Sequence, residues 1–198
     1  MNKINPSIME VLAKNNNLIT TAQIHELGFS RQIILKYVKA GLLERLRQGV
    51  YTISDAIHDD MFTLMLRSES IIFSHESALF LWGLSDRTPF RHSITMPSNK
   101  TLPGSIKDES ICFYIKPEWH KIGLTERATT FGNTVRCYDV ERTICDLLRT
   151  RSRCDEETVI SALKNYAAYG KKDLNRLAAY AEIFHVNKEL KRYMEVLL

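Results

Sequence analysis

Residues 20–53 read TTAQIHELGFSRQIILKYVKAGLLERLRQGVYTI, and this stretch decides the fold of the amino-terminal part of the chain. Thr20 with Gln23 has the spacing of a capping box, in which each side chain satisfies an orphan backbone donor of a starting helix. That helix is short, from Thr21 to about Leu27, and Gly28 closes it in the left-handed conformation that glycine adopts without strain. Ser30 then stands at the N-cap of another helix, which runs to about Ala40 and stops at Gly41. Residues 42–53 alternate and carry Gly49, the pattern of a small β-hairpin. Upstream, Asn5-Pro6 reads as N-cap and first helical position. Ile8, Met9, Val11 and Leu12 give an apolar stripe, and Asn15-Asn16-Asn17 ends that first helix. Three helices with a glycine turn between the second and third, followed by a hairpin, make a winged helix-turn-helix.

The third helix carries the functional reading. At about 100° per residue, Ile34, Val38 and Leu42 fall on one side and form the expected core face. Gln32, Lys36 and Lys39 fall together on the other, a polar stripe with no acidic residue. An ordinary solvated face mixes Glu with Lys for helical ion pairs. Lysines without them suit phosphates, and Gln pairs with adenine edges in the major groove. Arg31 lies in the first turn, where recognition helices reach bases. Arg45, Arg47 and Gln48 lie near the hairpin tip, placed for the backbone or the adjacent minor groove. Tyr51 reads as a core aromatic closing the hairpin.

The charge distribution agrees with this reading. The chain of 198 residues has a net charge of +4. Residues 1–53 hold seven basic and three acidic groups, whereas the rest holds twenty of each, so the whole excess lies in the first quarter. A local surplus of Lys and Arg points to a polyanionic partner.

Beyond a polar connector at 55–60 the pattern changes to mixed α and β. A domain boundary is placed there, with 1–56 as the DNA-binding domain and 57–198 as a second domain. Helices are predicted at 61–67 and 75–82, and strands at 70–74, 92–96, 110–115 and 134–138. Helices follow at 140–150, 155–169, 172–185 and 187–198. The fold class is α+β: a winged helix-turn-helix, then a larger mixed domain with a helical carboxy-terminal part.

Catalytic and metal signatures are sparse. The four cysteines, Cys112, Cys137, Cys145 and Cys154, show no paired short spacing, so they read as small apolar residues in a reducing compartment rather than zinc ligands. There is no phosphate loop and no Gly-x-Ser-x-Gly. Ser74-His75-Glu76 joins a nucleophile, a base and a carboxylate, but neighbours in sequence are not expected to converge, and a helix start explains the run. Asp139 and Glu141 form a short-spaced acidic pair, read as N-cap and first turn of the helix at 140–150. Arg142, Arg149, Arg151 and Arg153, with Lys171 and Lys172 further on, either complement helix ends or form a second anion-binding surface. No cofactor, metal or enzymatic activity is expected. The longest fully apolar run is 78–82, far short of the ~20 residues that span a bilayer. With no basic start leading into an apolar segment, the expected compartment is the cytoplasm.

Taken in order, Gly41-Leu42-Leu43, Arg47-Gln48-Gly49-Val50-Tyr51, His75-Glu76-Ser77-Ala78-Leu79, Gly83-Leu84-Ser85, Ile94-Thr95-Met96-Pro97 and Val140-Glu141-Arg142-Thr143-Ile144-Cys145-Asp146-Leu147-Leu148-Arg149 resemble the AbiEi antitoxins of abortive-infection (type IV) toxin–antitoxin systems. The resemblance covers essentially the whole chain. It implies a winged helix that binds inverted repeats in the promoter of its own operon, as a monomer loading cooperatively or a weak dimer. It also implies a carboxy-terminal domain that counteracts a nucleotidyltransferase-like toxin without a stable complex. The basic group around Arg149 is the candidate antitoxin surface. Two other readings share part of these features: a ligand- or partner-responsive repressor, and a nuclease resting on Asp139 and Glu141.

Overall fold

The computed structural model describes residues 3–54, 59–85, 87–102 and 104–197. The chain forms two compact units, Met1–Arg67 and Ser68–Leu198. The boundary expected between residues 56 and 57 lies outside the described residues. Both units mix helices with a sheet, so the fold class is α+β.

The first unit opens with α1 (Pro6–Lys14), whose start is fixed by Asn5: its Oδ1 accepts the Ser7 N–H at 2.9 Å. β1 (Leu18–Thr20) follows and was not expected, because three residues are too short to show alternation. α2 (Thr21–Glu26) begins at the predicted capping box. There Thr20 Oγ1 accepts the Gln23 N–H at 3.2 Å and Gln23 Oε1 accepts the Thr20 N–H at 2.8 Å. Gly28 turns the chain at φ +80°, a conformation that strains other residues, into α3 (Arg31–Lys39). Ser30 occupies the N-cap of α3 without a side-chain capping bond. β2 (Leu43–Arg47) and β3 (Val50–Ile53) form the hairpin, with a bulge between Arg45 and Arg47. The sheet order is β1-β3-β2, all antiparallel. A last helix, α4 (Asp60–Leu66), buries Met61, Leu64 and Met65.

The core of this unit consists of Ile8, Leu12, Ile19, Ile24, Ile34, Tyr37, Leu43 and Tyr51. One correction concerns α3. Its buried positions are Ile34 and Tyr37, whereas Val38 and Leu42 are only half-buried. Tyr37 turns inward because its hydroxyl has a partner there, accepting the Asn5 N–H at 3.0 Å.

The second unit is a five-stranded mixed sheet with helices. Its elements begin with β4 (Ile72–Phe73), α5 (His75–Leu81), β5 (His92–Pro97), α6 (Gly104–Glu109) and β6 (Ser110–Ile115). They continue with β7 (Leu124–Ala128), β8 (Thr134–Tyr138), α7 (Val140–Arg149), α8 (Glu156–Ala168), α9 (Leu174–Ile183) and α10 (Asn187–Leu197). The strand order is β6-β5-β4-β8-β7; β5–β6 and β4–β8 are parallel, and β4–β5 and β7–β8 antiparallel. β7 and α6 were not foreseen: β7 is a largely exposed edge strand without an apolar face, and α6 is a short helix of mixed polarity.

α7 is the centre of this unit. Every residue from Val140 to Leu148 is buried, and the helix packs against α5, α8, α9 and α10. Asp139 caps it as expected, its Oδ1 accepting the Arg142 N–H at 2.8 Å. Burial pushes the Cys137 and Cys145 thiols up to about 12, so both behave as small apolar groups.

Candidate nucleic-acid interface

α3 and the β2–β3 turn are the elements that present the candidate side chains. Ile34 and Tyr37 anchor α3 in the core and thereby fix its rotation. With that rotation set, Arg31, Gln32, Lys36 and Lys39 are all exposed. The acid-free stripe expected from the sequence is therefore at the surface, and Leu35 stands within it, 46% exposed. Leu35 was missed because attention to charge passes over an apolar residue. Its position four residues from both Arg31 and Lys39 was nevertheless readable, since residues at that spacing share a helix face.

The hairpin tip is tied to the start of α2. The Gly49 carbonyl accepts the Thr21 N–H at 2.9 Å, and the Thr21 hydroxyl lies 3.4 Å from the same oxygen. This bond gives the turn a fixed place beside the helix-turn-helix. Gln48 is exposed at the turn, Arg45 is exposed within β2 opposite Tyr51, and the Arg47 side chain lies outside the described ones. Helix face and wing thus offer cations, an amide and one apolar side chain. This set can neutralise phosphates and also contact base edges.

The basic group of the second unit is not one surface. Arg142 is fully buried and is withdrawn from it. Its Nε donates to Asp146 Oδ2 at 3.0 Å, and its Nη1 donates to the carbonyls of Trp119 and Ile122 at 3.0 and 2.9 Å. Its guanidinium also lies 4.3 Å from the ring centre of Tyr138 and 3.8 Å from that of Phe184. It faces inward because Asp146, one turn on, is buried as well and needs a cation. Gly123 makes room for this arrangement, since a Cβ there would stand 2.7 Å from Arg142 Cβ. Arg149 is half-buried and donates to Asp146 Oδ1 at 3.2 Å. Arg151, Arg153, Lys171 and Lys172 are exposed, with Arg151 3.9 Å from Glu189 and Arg153 lying on the Phe113 ring.

Two other clusters carry side chains of catalytic type. Ser74 and His75 do converge, contrary to expectation: His75 Nδ1 lies 2.9 Å from Ser74 Oγ. The cause is the His75 backbone, which has φ +49° and turns the ring back onto its neighbour. Both residues are fully buried, and the ring stacks on Phe113 at 3.5 Å. Ser74 therefore stands at an N-cap without capping. Its Oγ accepts the Thr95 hydroxyl at 2.8 Å instead. The second cluster surrounds Asp139 and Glu141. Asp139 Oδ2 accepts the Tyr180 hydroxyl at 3.0 Å, and Glu141 Oε1 accepts the Asp173 N–H at 2.9 Å. Burial raises the Asp139 carboxyl above its ordinary value. Among the described residues, no group of three or more His, Cys, Asp or Glu side chains could hold a metal ion.

The amino-terminal unit is a helix-turn-helix followed by a β-hairpin, with an exposed acid-free face on α3. Residues 7–54 match the family model described as a transcriptional regulator, AbiEi antitoxin, and the resemblance read from the sequence is upheld over that stretch. The crystal structure of the RV2827C protein from Mycobacterium tuberculosis is similar to this chain at a TM-score of 0.66 and 16% identity. That similarity covers 91% of this chain and 73% of the other, and it is one of fold alone. No curated protein matches the chain. Among the described residues, no helix is long and apolar enough to cross a membrane.

Proposed function

We propose that this chain is an autorepressing antitoxin of the cytoplasm. The winged helix binds inverted repeats in the promoter of its own operon, with Arg31, Gln32, Lys36 and Lys39 on the duplex and the hairpin residues Arg45, Arg47 and Gln48 beside it. Two copies occupy each operator, by cooperative loading or as a weak dimer. The second unit counteracts a nucleotidyltransferase-like toxin without forming a stable complex with it. The candidate residues for this task are the exposed members of the basic group, Arg151, Arg153, Lys171 and Lys172, together with the half-buried Arg149.

One observation carries the DNA half: α3 exposes three cations and an amide with no carboxylate among them, in a stretch that matches an AbiEi regulator. The test is binding of the full-length protein to the DNA upstream of its own gene, followed by anisotropy. Lys36→Glu with Lys39→Glu is expected to abolish binding. The wild-type affinity is expected to fall with salt at a log–log slope of about −0.9 per phosphate contact. Unchanged affinity in the double variant overturns the assignment. The antitoxin half is tested by growth rescue from the co-expressed toxin of the same operon, and failure of the wild-type chain to rescue overturns it.

A further inference from the structure

We infer that Leu35 is a base-reading residue, recognising the C5-methyl group of a thymine in the major groove. This inference rests on the DNA-binding reading of α3. Leu35 is 46% exposed, although the unit buries Ile34 on the same helix completely. The side chain is thus outside the core, not at its edge. Arg31, Leu35 and Lys39 form one four-residue row, with Gln32 and Lys36 in the adjacent row, so polar groups flank the leucine along its row and on one side, and half-buried Val38 lies on the other. At about 1.5 Å rise per residue, Leu35 lies about 6 Å along the axis from Arg31 and again from Lys39. That is close to two base-pair steps of about 3.4 Å, so three side chains of one row fall near every second base pair along a groove.

Charge decides which partner this face fits. A second copy of the same face would bring Arg31, Lys36 and Lys39 against their own equivalents. A duplex supplies phosphates to those cations. In its major groove the thymine methyl is the apolar group that distinguishes one base pair from the others. A leucine flanked by Arg31, Lys36 and Lys39 matches that combination of a charged backbone and an apolar base edge. The polar residues then set position and affinity, while Leu35 sets sequence preference at one step of each half-site.

The experiment is selection of duplexes from a randomised library by the full-length protein, wild type and Leu35→Ala. The wild type is expected to enrich thymine at one position per half-site that Leu35→Ala leaves nearly even, with the other preferences kept. Replacing that thymine by uracil removes one methyl group. The wild-type affinity is expected to drop about fourfold, as burial of one such group predicts, and the Leu35→Ala affinity to stay unchanged. Leu35→Thr, whose γ-methyl reaches further than the β-methyl of alanine, is expected to keep part of the preference. Identical preferences in wild type and Leu35→Ala, or indifference of the wild type to uracil, overturn the inference while leaving the DNA-binding reading intact. Failure of any duplex to enrich overturns both.

Discussion

At His75, burial holds an imidazole neutral inside the second unit, with a pKa lowered to about 4 from 6.5. Burial is the largest cause; the fields of Arg149, Arg142 and Arg153 act in the same direction, and Asp146 opposes them. The hydrogen bonds fix the tautomer. The Thr150 hydroxyl donates to the Asp146 carbonyl at 2.8 Å, so it accepts from His75 Nε2, 2.9 Å away. His75 Nδ1 then accepts from Ser74. A neutral folded histidine loses nothing above pH 6.5. Between 6.5 and about 4 the unfolded chain takes up a proton that the folded chain refuses, so stability falls as pH falls. The expected loss reaches about 3 kcal/mol near pH 4, measured by denaturant unfolding across that range. His75→Gln should flatten this dependence; an unchanged profile would remove His75 as its source. Arg142 makes the second residue-scale prediction. Arg142→Ala leaves Asp146 buried with Arg149 alone and is expected to cost about 3–5 kcal/mol, read as a lowered unfolding midpoint. Neither arrangement was legible in the sequence. A positive φ at a histidine has no local signature, and an arginine at a helix position looks solvent-facing until the helix is known to be buried on every side.

Elements were legible in proportion to the local physics that makes them. The capping box at Thr20 and Gln23, the turn at Gly28 and the strand at 110–115 all rest on side chains that act on their own neighbourhood. The exposed polar face of α3 was legible for the same reason, since helical spacing fixes what lies together. β1 and β7 were not, because each exists through its partner: Ile19 pairs with Tyr51, and Glu126 with Arg136. α3 was rotated slightly from expectation because Tyr37 finds a hydrogen bond inside, which no periodicity reports. The capping box permits an element-scale prediction. Gln23→Ala removes the acceptor for the Thr20 N–H and is expected to destabilise α2 by about 1 kcal/mol. Faster hydrogen exchange at the α2 amides, with the second unit's amides unchanged, is the expected readout. Because the Thr21 N–H also holds the Gly49 carbonyl, the wing should loosen with it, and operator affinity should weaken while the lysines remain in place.

At the scale of the molecule, the decisive asymmetry is electrostatic. The first 53 residues carry the whole positive excess, and the other 145 are balanced. A local attraction to polyanions is therefore a property of the helix-turn-helix and wing within those 53 residues, and adding salt should weaken what that segment does. The second unit buries Arg142 and half-buries Arg149, and several of its exposed cations stand beside carboxylates, Arg87 by Glu157, Arg151 by Glu189 and Arg176 by Asp173. A nucleic-acid groove is a poor match for that surface, and a separate task suits it better. The two tasks should then separate by substitution in the intact chain. Lys36→Glu with Lys39→Glu is expected to lose operator binding and keep growth rescue. Arg151→Glu with Arg153→Glu is expected to keep operator binding, with its salt slope, and lose rescue. Parallel loss of both activities in the first variant would mean that neutralisation runs through the DNA-bound state, and the division of labour between the two units would have to be abandoned.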